Sequence, residues 1–240
     1  MEPYSLVAVA LIFFLGTFVQ ASIGFGMALV AMPILVSLLG IHAAAPLVAI
    51  VAFVAEIAIL LRYREAFNLG NVKQLMIAAV IGIPVGVLAV RLIEGEIVIR
   101  VLGVIVIGYA LYALFTPKLP ELAGAAWAYF FGFLAGILGG AYNTSGPPVV
   151  IYGDCHAWPP EEFKSNLQGF FLINGIVIIA AHGLNGNLSA EVFQTTLYAL
   201  PGVAVGLAAG FLMSKHINAQ LFHKIVLVAL VFLGLSLLFV

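Results

Sequence analysis

Two polar interruptions of apolar sequence carry the residues best suited to grip a ligand, Gln20-Ala21-Ser22-Ile23-Gly24-Phe25-Gly26 and Gly139-Gly140-Ala141-Tyr142-Asn143-Thr144-Ser145-Gly146-Pro147-Pro148. Glycine weakens helical order and proline removes a backbone donor, so the second stretch reads as a helix break. The helices that restart, at about Phe25 or Gly26 and at Gly146 or Pro147, present unpaired N–H groups and about half a positive charge, which favours an anion. Gly24, Gly26 and Gly146 let that anion approach the backbone, while Ser22, Thr144 and Ser145 offer hydroxyls and Gln20 and Asn143 offer amides. A sulfonate, sulfite or carboxylate oxygen suits such donors. The competing structural reading is that small residues here only permit close helix crossing. The pairing of two such breaks, followed by Pro33 and by Pro147-Pro148, favours the site.

Four further side chains belong to the same chemistry. Glu56 is an acidic residue deep in the apolar run Ala43 to Leu61. Such a carboxylate either carries protons or pairs with a cation, and Arg62 is about 9 Å further along a helix rising roughly 1.5 Å per residue. Lys164 and Gln168 open the segment after the second break, with Asn174 deeper in it. Lys164 would draw an anion inward or, as a structural residue, snorkel to the interface. The five histidines, His42, His156, His182, His216 and His223, share no metal-ligand spacing, and no nucleophile stands beside a base. Neither a metal, nor a cofactor, nor catalysis is expected.

The elements that must position these residues follow from composition. Of 240 residues, 64% are hydrophobic and 8% charged, with mean hydropathy +1.22; soluble domains are about 45–50% apolar and about 25% charged. An all-α polytopic membrane protein is implied. A net charge of −1 with no Lys/Arg cluster excludes a nucleic-acid partner, and the single cysteine, Cys155, forms no intrachain disulfide. Apolar runs fall at about residues 4–21, 25–39, 43–61, 73–93, 97–115, 121–138, 147–152, 163–182, 191–213 and 217–240, most reaching the roughly 17–25 residues that span hydrocarbon. The first run lacks the basic start of a signal peptide and reads as a membrane helix. The pattern predicts two repeats of five segments, 1–116 and 120–240, within one transmembrane domain, with short or discontinuous segments 2 and 7 and a hinge at Thr116-Pro117-Lys118-Leu119-Pro120.

Charge tests the segment count. If each short segment crosses or returns with its predecessor, Arg62, Arg64, Lys73, Lys118, Lys164, Lys215 and Lys224 share one face, leaving Arg91 and Arg100 on the other. With eight crossings the split is four against five, so the first parity fits the cytoplasmic excess of Lys and Arg. It puts both termini outside and inverts the repeats, bringing the breaks together at the midplane. Two interrupted segments in matching halves point to a transporter's binding site.

Both motifs, Gln20 to Gly26 with Pro33 and Gly136 to Pro148 with Tyr152, resemble those of the TauE/SafE family, the sulfite and sulfonate exporters also called the toluene sulfonate uptake permease family. The likeness covers the whole chain, and the Gly-Pro-Pro ending is its more specific part. Ile23 and Phe25 interrupt the fuller glycine run that many members carry. The resemblance implies a multi-pass protein of the bacterial inner membrane that exports a small organosulfur anion. The expected substrate is a sulfoacetate-like sulfonate or sulfite, moved by alternating access, with the bilayer and a second copy of the chain as partners. The expected site comprises Gln20, Ser22, Gly24, Phe25, Gly26, Asn143, Thr144, Ser145, Gly146, Lys164, Gln168 and Asn174, with Glu56 coupling protons. A passive anion channel and a non-transporting assembly subunit are the rival readings.

Overall fold

A computed structural model describes residues 3–115, 122, 124–214 and 219–239. The described residues form ten α-helices and no strand: α1 (Pro3–Ile23), α2 (Met27–Leu39), α3 (Ile41–Tyr63), α4 (Leu69–Leu92), α5 (Gly95–Phe115), α6 (Ala125–Tyr142), α7 (Gly146–Cys155), α8 (Pro160–Leu184), α9 (Ala190–Met213) and α10 (Ala219–Leu238). A 3₁₀ turn, Arg64–Ala66, follows α3. Eight of these helices are long and apolar enough to cross a bilayer; α2 and α7 are the short ones. The anticipated hinge at 116–120, together with Lys118 and Lys215, lies outside the described residues.

The second break is narrower than its composition suggests. α6 continues through Gly139 and Gly140 to Tyr142, and Pro147-Pro148 fall in the first turn of α7, where proline forfeits no intrahelical bond. Gly140 instead belongs to a stripe with Gly132 and Gly136 that lies directly on α4. A methyl group at those three positions would collide with the carbonyl oxygens of Leu75, Ala79 and Ile83. Gly202, Gly206 and Gly210 of α9 likewise press on the carbonyls of Ala10, Phe14 and Phe18 of α1. Small residues every fourth position let helix backbones touch in lipid, where packing replaces the hydrophobic drive between helices. Gly136→Leu or Gly202→Leu is therefore expected to abolish a monodisperse elution peak in detergent, because the obstructing atoms are backbone and cannot rotate aside; Gly108→Leu, where a Cβ meets nothing within 4 Å, is expected to elute as the wild type.

The packing partners obey an exchange between the halves. α1 lies along α9 and α4 along α6, while α3 pairs with α8 and α5 with α10. Moving every helix to the one of equal rank in the other five reproduces this set of pairs. Gly82 and Gly86 of α4 press on the carbonyls of Phe133 and Ile137 of α6 as the α9 glycines press on α1, and the stripe of α6 is the addition on that side. The ends of the helices also sort by face. Asn68 N donates to Asn166 Oδ1 at 2.9 Å and Asn71 Nδ2 to Glu162 Oε1 at 2.6 Å, which sets the starts of α4 and α8 side by side. At the far ends of the same helices Arg91 Nη1 donates to Asn185 Oδ1 at 3.2 Å. Arg62, Arg64, Lys73 and Lys164 thus lie toward one end of the helices and Arg91 toward the other.

Candidate functional site

Both breaks use backbone conformations their residues tolerate. Gly24 and Gly26 have φ of 96° and 107°, and Asn143 has φ of 55°, the left-handed region that glycine enters freely and asparagine more readily than most residues. Asn143 closes α6 with its N–H on Gly139 O at 2.8 Å, and Thr144 N reaches Leu138 O at 3.3 Å. α2 and α7 then start with no side chain capping their first N–H groups. The two ends are unequal as anion sites. Pro147 and Pro148 delete two of the donors that the first turn of α7 would otherwise supply, whereas the first turn of α2 keeps Met27, Ala28 and Leu29.

The breaks meet. Gly26, Ala28 and Leu29 from the first, and Asn143, Thr144, Ser145 and Gly146 from the second, line one cavity with Gln20, Ala52, Glu56 and Phe171. Phe25 approaches the space above Gly146 to within 3.9 Å of a built Cβ, and Phe171 to within 3.7 Å. Ala52 and Phe171 lie close to the midpoints of α3 and α8, so the cavity sits at mid-depth. Its volume is about 30 Å³, where one water needs roughly 10–15 Å³. An oxyanion of four heavy atoms does not fit until the walls separate.

Two polar groups in this wall have no partner. Thr144 Oγ1 and Glu56 Oε2, both buried, make no hydrogen bond. The alternative pairing of Glu56 with Arg62 does not form; the Arg62 guanidinium lies 4.7 Å from the Phe211 ring centre instead, and the ion pair found among the described residues is Arg100 with Glu96. Asn174, buried on α8, also leaves both side-chain polar atoms unpartnered. It is not in the cavity wall, but its neighbour Gly175 makes room for Glu56, since a Cβ there would stand 3.3 Å from Oε2.

The remaining expected residues close the cavity on one side. Lys164 Nζ donates to Ser22 O at 3.0 Å and Gln168 Nε2 to Gly24 O at 2.5 Å, so both cap the carbonyl end of α1. Gln20 Nε2 donates to Gln168 Oε1 at 3.1 Å, continuing the chain into the cavity wall. Ser22 Oγ is spent on Phe18 O at 2.7 Å. Phe25 packs edge-on against Tyr109 and His223, at 6.1 and 5.9 Å between ring centres. On the other side Asn143 Nδ2 donates to Ala45 O, in the second turn of α3, at 2.7 Å. Each break is thus tied to the early turns of a long helix of the other half, α8 for the first and α3 for the second. Wider hollows flank these ties. One of about 670 Å³ is lined by Arg62, Arg64 and Lys164 among others, and one of about 200 Å³ by Ala45, Gly140, Ala141, Arg91 and His182 among others. Sequence reasoning missed Ala45, whose contribution is a backbone carbonyl, and Ala52, Phe171 and Leu29, which look like ordinary lipid-compatible residues. No signal in their identities marked them.

Long apolar helices, two half-length ones meeting at a mid-depth polar cavity, and hollows on either side form the architecture of a polytopic membrane transporter. The comparison with known proteins gives the particular kind. The pattern describing the sulfite exporter TauE/SafE family matches residues 8–237, and the chain belongs to that family. It is 24% identical over 234 residues to the probable sulfite/organosulfonate exporter TauE of Cupriavidus necator, across 92% of this chain and 89% of that protein. No solved structure matches it.

Proposed function

We propose that this protein exports a small organosulfur anion, sulfite or a sulfoacetate-like sulfonate, across the bacterial inner membrane by alternating access. The observation that carries the reading is the meeting of both breaks at one mid-depth cavity with an unpartnered hydroxyl in its wall. Thr144, Ser145 and the first-turn N–H groups of α2 bind the oxyanion, with Gln20 and Asn143 as amide donors once their present partners release them. The two five-helix halves are inverted repeats of one transmembrane domain, with both termini outside. That arrangement gives the two ties equivalent roles. Release of Lys164 and Gln168 from the first break opens the site to the cytoplasm, and release of Asn143 from Ala45 opens it outward. A centre closed between two hollows supports a carrier over an open pore.

Glu56 gives the cycle its coupling. Two like unit charges 4 Å apart repel by about 4 kcal/mol at an effective dielectric near 20. An anion beside an ionised, unpaired Glu56 would meet that cost, so the anion moves with a proton on the carboxyl. A monovalent sulfonate and its proton then cross without net charge, down the anion's own gradient, and Glu56 gives the proton up outside and regains one inside after the empty carrier returns.

The test is counterflow in proteoliposomes. Labelled sulfite or methanesulfonate outside should accumulate against unlabelled anion inside and saturate with concentration. Current that rises linearly with voltage and shows no exchange would mean a pore. The inner tie makes a further expectation: Lys164→Met and Gln168→Leu together should raise the accessibility of a cysteine placed at Thr144 to a membrane-impermeant thiol reagent from the cytoplasmic side by about tenfold, in a Cys155→Ser background. Equal labelling with and without the tie would show that these bonds do not hold the site closed.

A further inference from the structure

The hollow of about 200 Å³ on the Arg91 face has the makings of a second anion site. It is lined by the start of α3 (Ile41, His42, Ala45), the end of α4 (Val87, Val90, Arg91), and His182, Asn185 and Asn187 at the end of α8 and just beyond. Three independent features converge on it. α3 begins at Gly40 with no side-chain cap, so its first-turn N–H groups are open to a ligand. Arg91 contributes a guanidinium, oriented by Asn185 Oδ1 at 3.2 Å.

The third feature is an orphaned donor. His182 is 4% exposed and its Nε2 has no partner, while Asn187 Nδ2 stands 3.1 Å from its Nδ1. With Asn187 Nδ2 donating to Nδ1, the ring proton sits on Nε2. A buried N–H without an acceptor lines a hollow that also holds a guanidinium. The carbonyls ending α8, which would repel an anion, are already engaged: Asn185 N and Nδ2 reach Ala181 O at 3.1 and 2.8 Å, and Asn187 N reaches His182 O at 2.9 Å. At about 200 Å³ the hollow accepts a sulfonate that the central cavity of about 30 Å³ excludes.

We propose that Arg91, His182 Nε2 and the first turn of α3 form a second oxyanion site, for a sulfonate or sulfite, in the hollow directly beyond the Asn143–Ala45 tie. Taken with the transport reading on which this rests, it is the station an anion occupies after leaving the centre. Asn143 lies between the two stations, so its release from Ala45 joins them. The adjoining hollow shares His42 and Asn187 but contains Glu191, whose charge turns anions away from that side and toward Arg91.

The experiment is isothermal titration of purified full-length protein with sodium methanesulfonate. The wild type should show two classes of binding. Arg91→Gln with His182→Gln should remove one of them, with at least a tenfold loss of affinity, and Thr144→Val with Ser145→Ala should remove the other. Arg91→Gln alone, at an exposed position, serves where the double variant melts early and should weaken the same class. Isotherms of both the Arg91 and the double variant superimposable on the wild type overturn the second site. Loss of all binding in the Thr144 and Ser145 variant overturns it too, and leaves the transport reading intact. An isotherm flat for the wild type overturns both.

Discussion

Thr144→Val with Ser145→Ala is expected to raise the KM for sulfite or sulfonate exchange at least about a hundredfold while the protein still folds and elutes normally. Thr144 Oγ1 is buried and unpartnered, so valine, of nearly the same shape, removes a donor that stabilises nothing in the closed state. Ser145 lines the same wall and makes no capping bond. Hydrogen bonds to a charged partner contribute about 1.5–3 kcal/mol each, and about 1.4 kcal/mol is a factor of ten. Asn143 requires a different substitution. Its φ of 55° makes alanine a strained choice, so Asn143→Gly removes the amide while keeping the backbone free, and should weaken binding and loosen the outer tie together. An unchanged KM in the Thr144 and Ser145 variant would contradict the site.

Glu56→Gln should change what drives transport. In the wild type a monovalent sulfonate travels with a proton, so efflux follows the pH gradient and ignores an imposed potential. Glutamine keeps the volume and cannot release a proton. The anion then moves as a bare charge, and an inside-negative potential of 100 mV, worth about 2.3 kcal/mol per charge, should bias its distribution outward about fiftyfold. Efflux from vesicles with a valinomycin-set potassium potential, at matched pH, measures this. A variant with the same indifference to potential as the wild type removes Glu56 from the coupling. Because Gly175 leaves space beside Oε2 and no cation pairs with the carboxyl, the substitution should cost little stability.

Much of the fold was legible because lipid leaves few options. The ten apolar runs became ten helices, eight of them long enough to cross, and the breaks at Gly24 to Gly26 and Asn143 to Ser145 were readable from the glycines and prolines around them. The boundaries moved by only a few residues, since charges and turn residues end these segments sharply. The reach of α6 through Gly139-Gly140 was misjudged for a physical reason: a glycine pair looks like a break, yet at Gly140 it serves contact with Ile83 of α4. The spacing of Gly132, Gly136 and Gly140, and of Gly202, Gly206 and Gly210, was present in the sequence; its partner helices were not. Glu56 was visible as a buried charge, but that Arg62 would turn to Phe211 depends on a helix more than a hundred positions away. Lys164 and Gln168 were marked as ligand residues by their chemistry, while their present bonds are to Ser22 O and Gly24 O. The carbonyl end of a broken helix asks for donors as urgently as a substrate does, and sequence alone does not distinguish the two claims.

The central claim is that both breaks hold one anion between them. Crystals grown with selenite, the selenium counterpart of sulfite, test it most directly by anomalous diffraction. A selenium peak among Thr144, Ser145 and the first turn of α2, with the walls drawn apart from their present spacing, is the result this account predicts. Selenium bound in full occupancy elsewhere, with the space between the breaks still closed and empty, would contradict it.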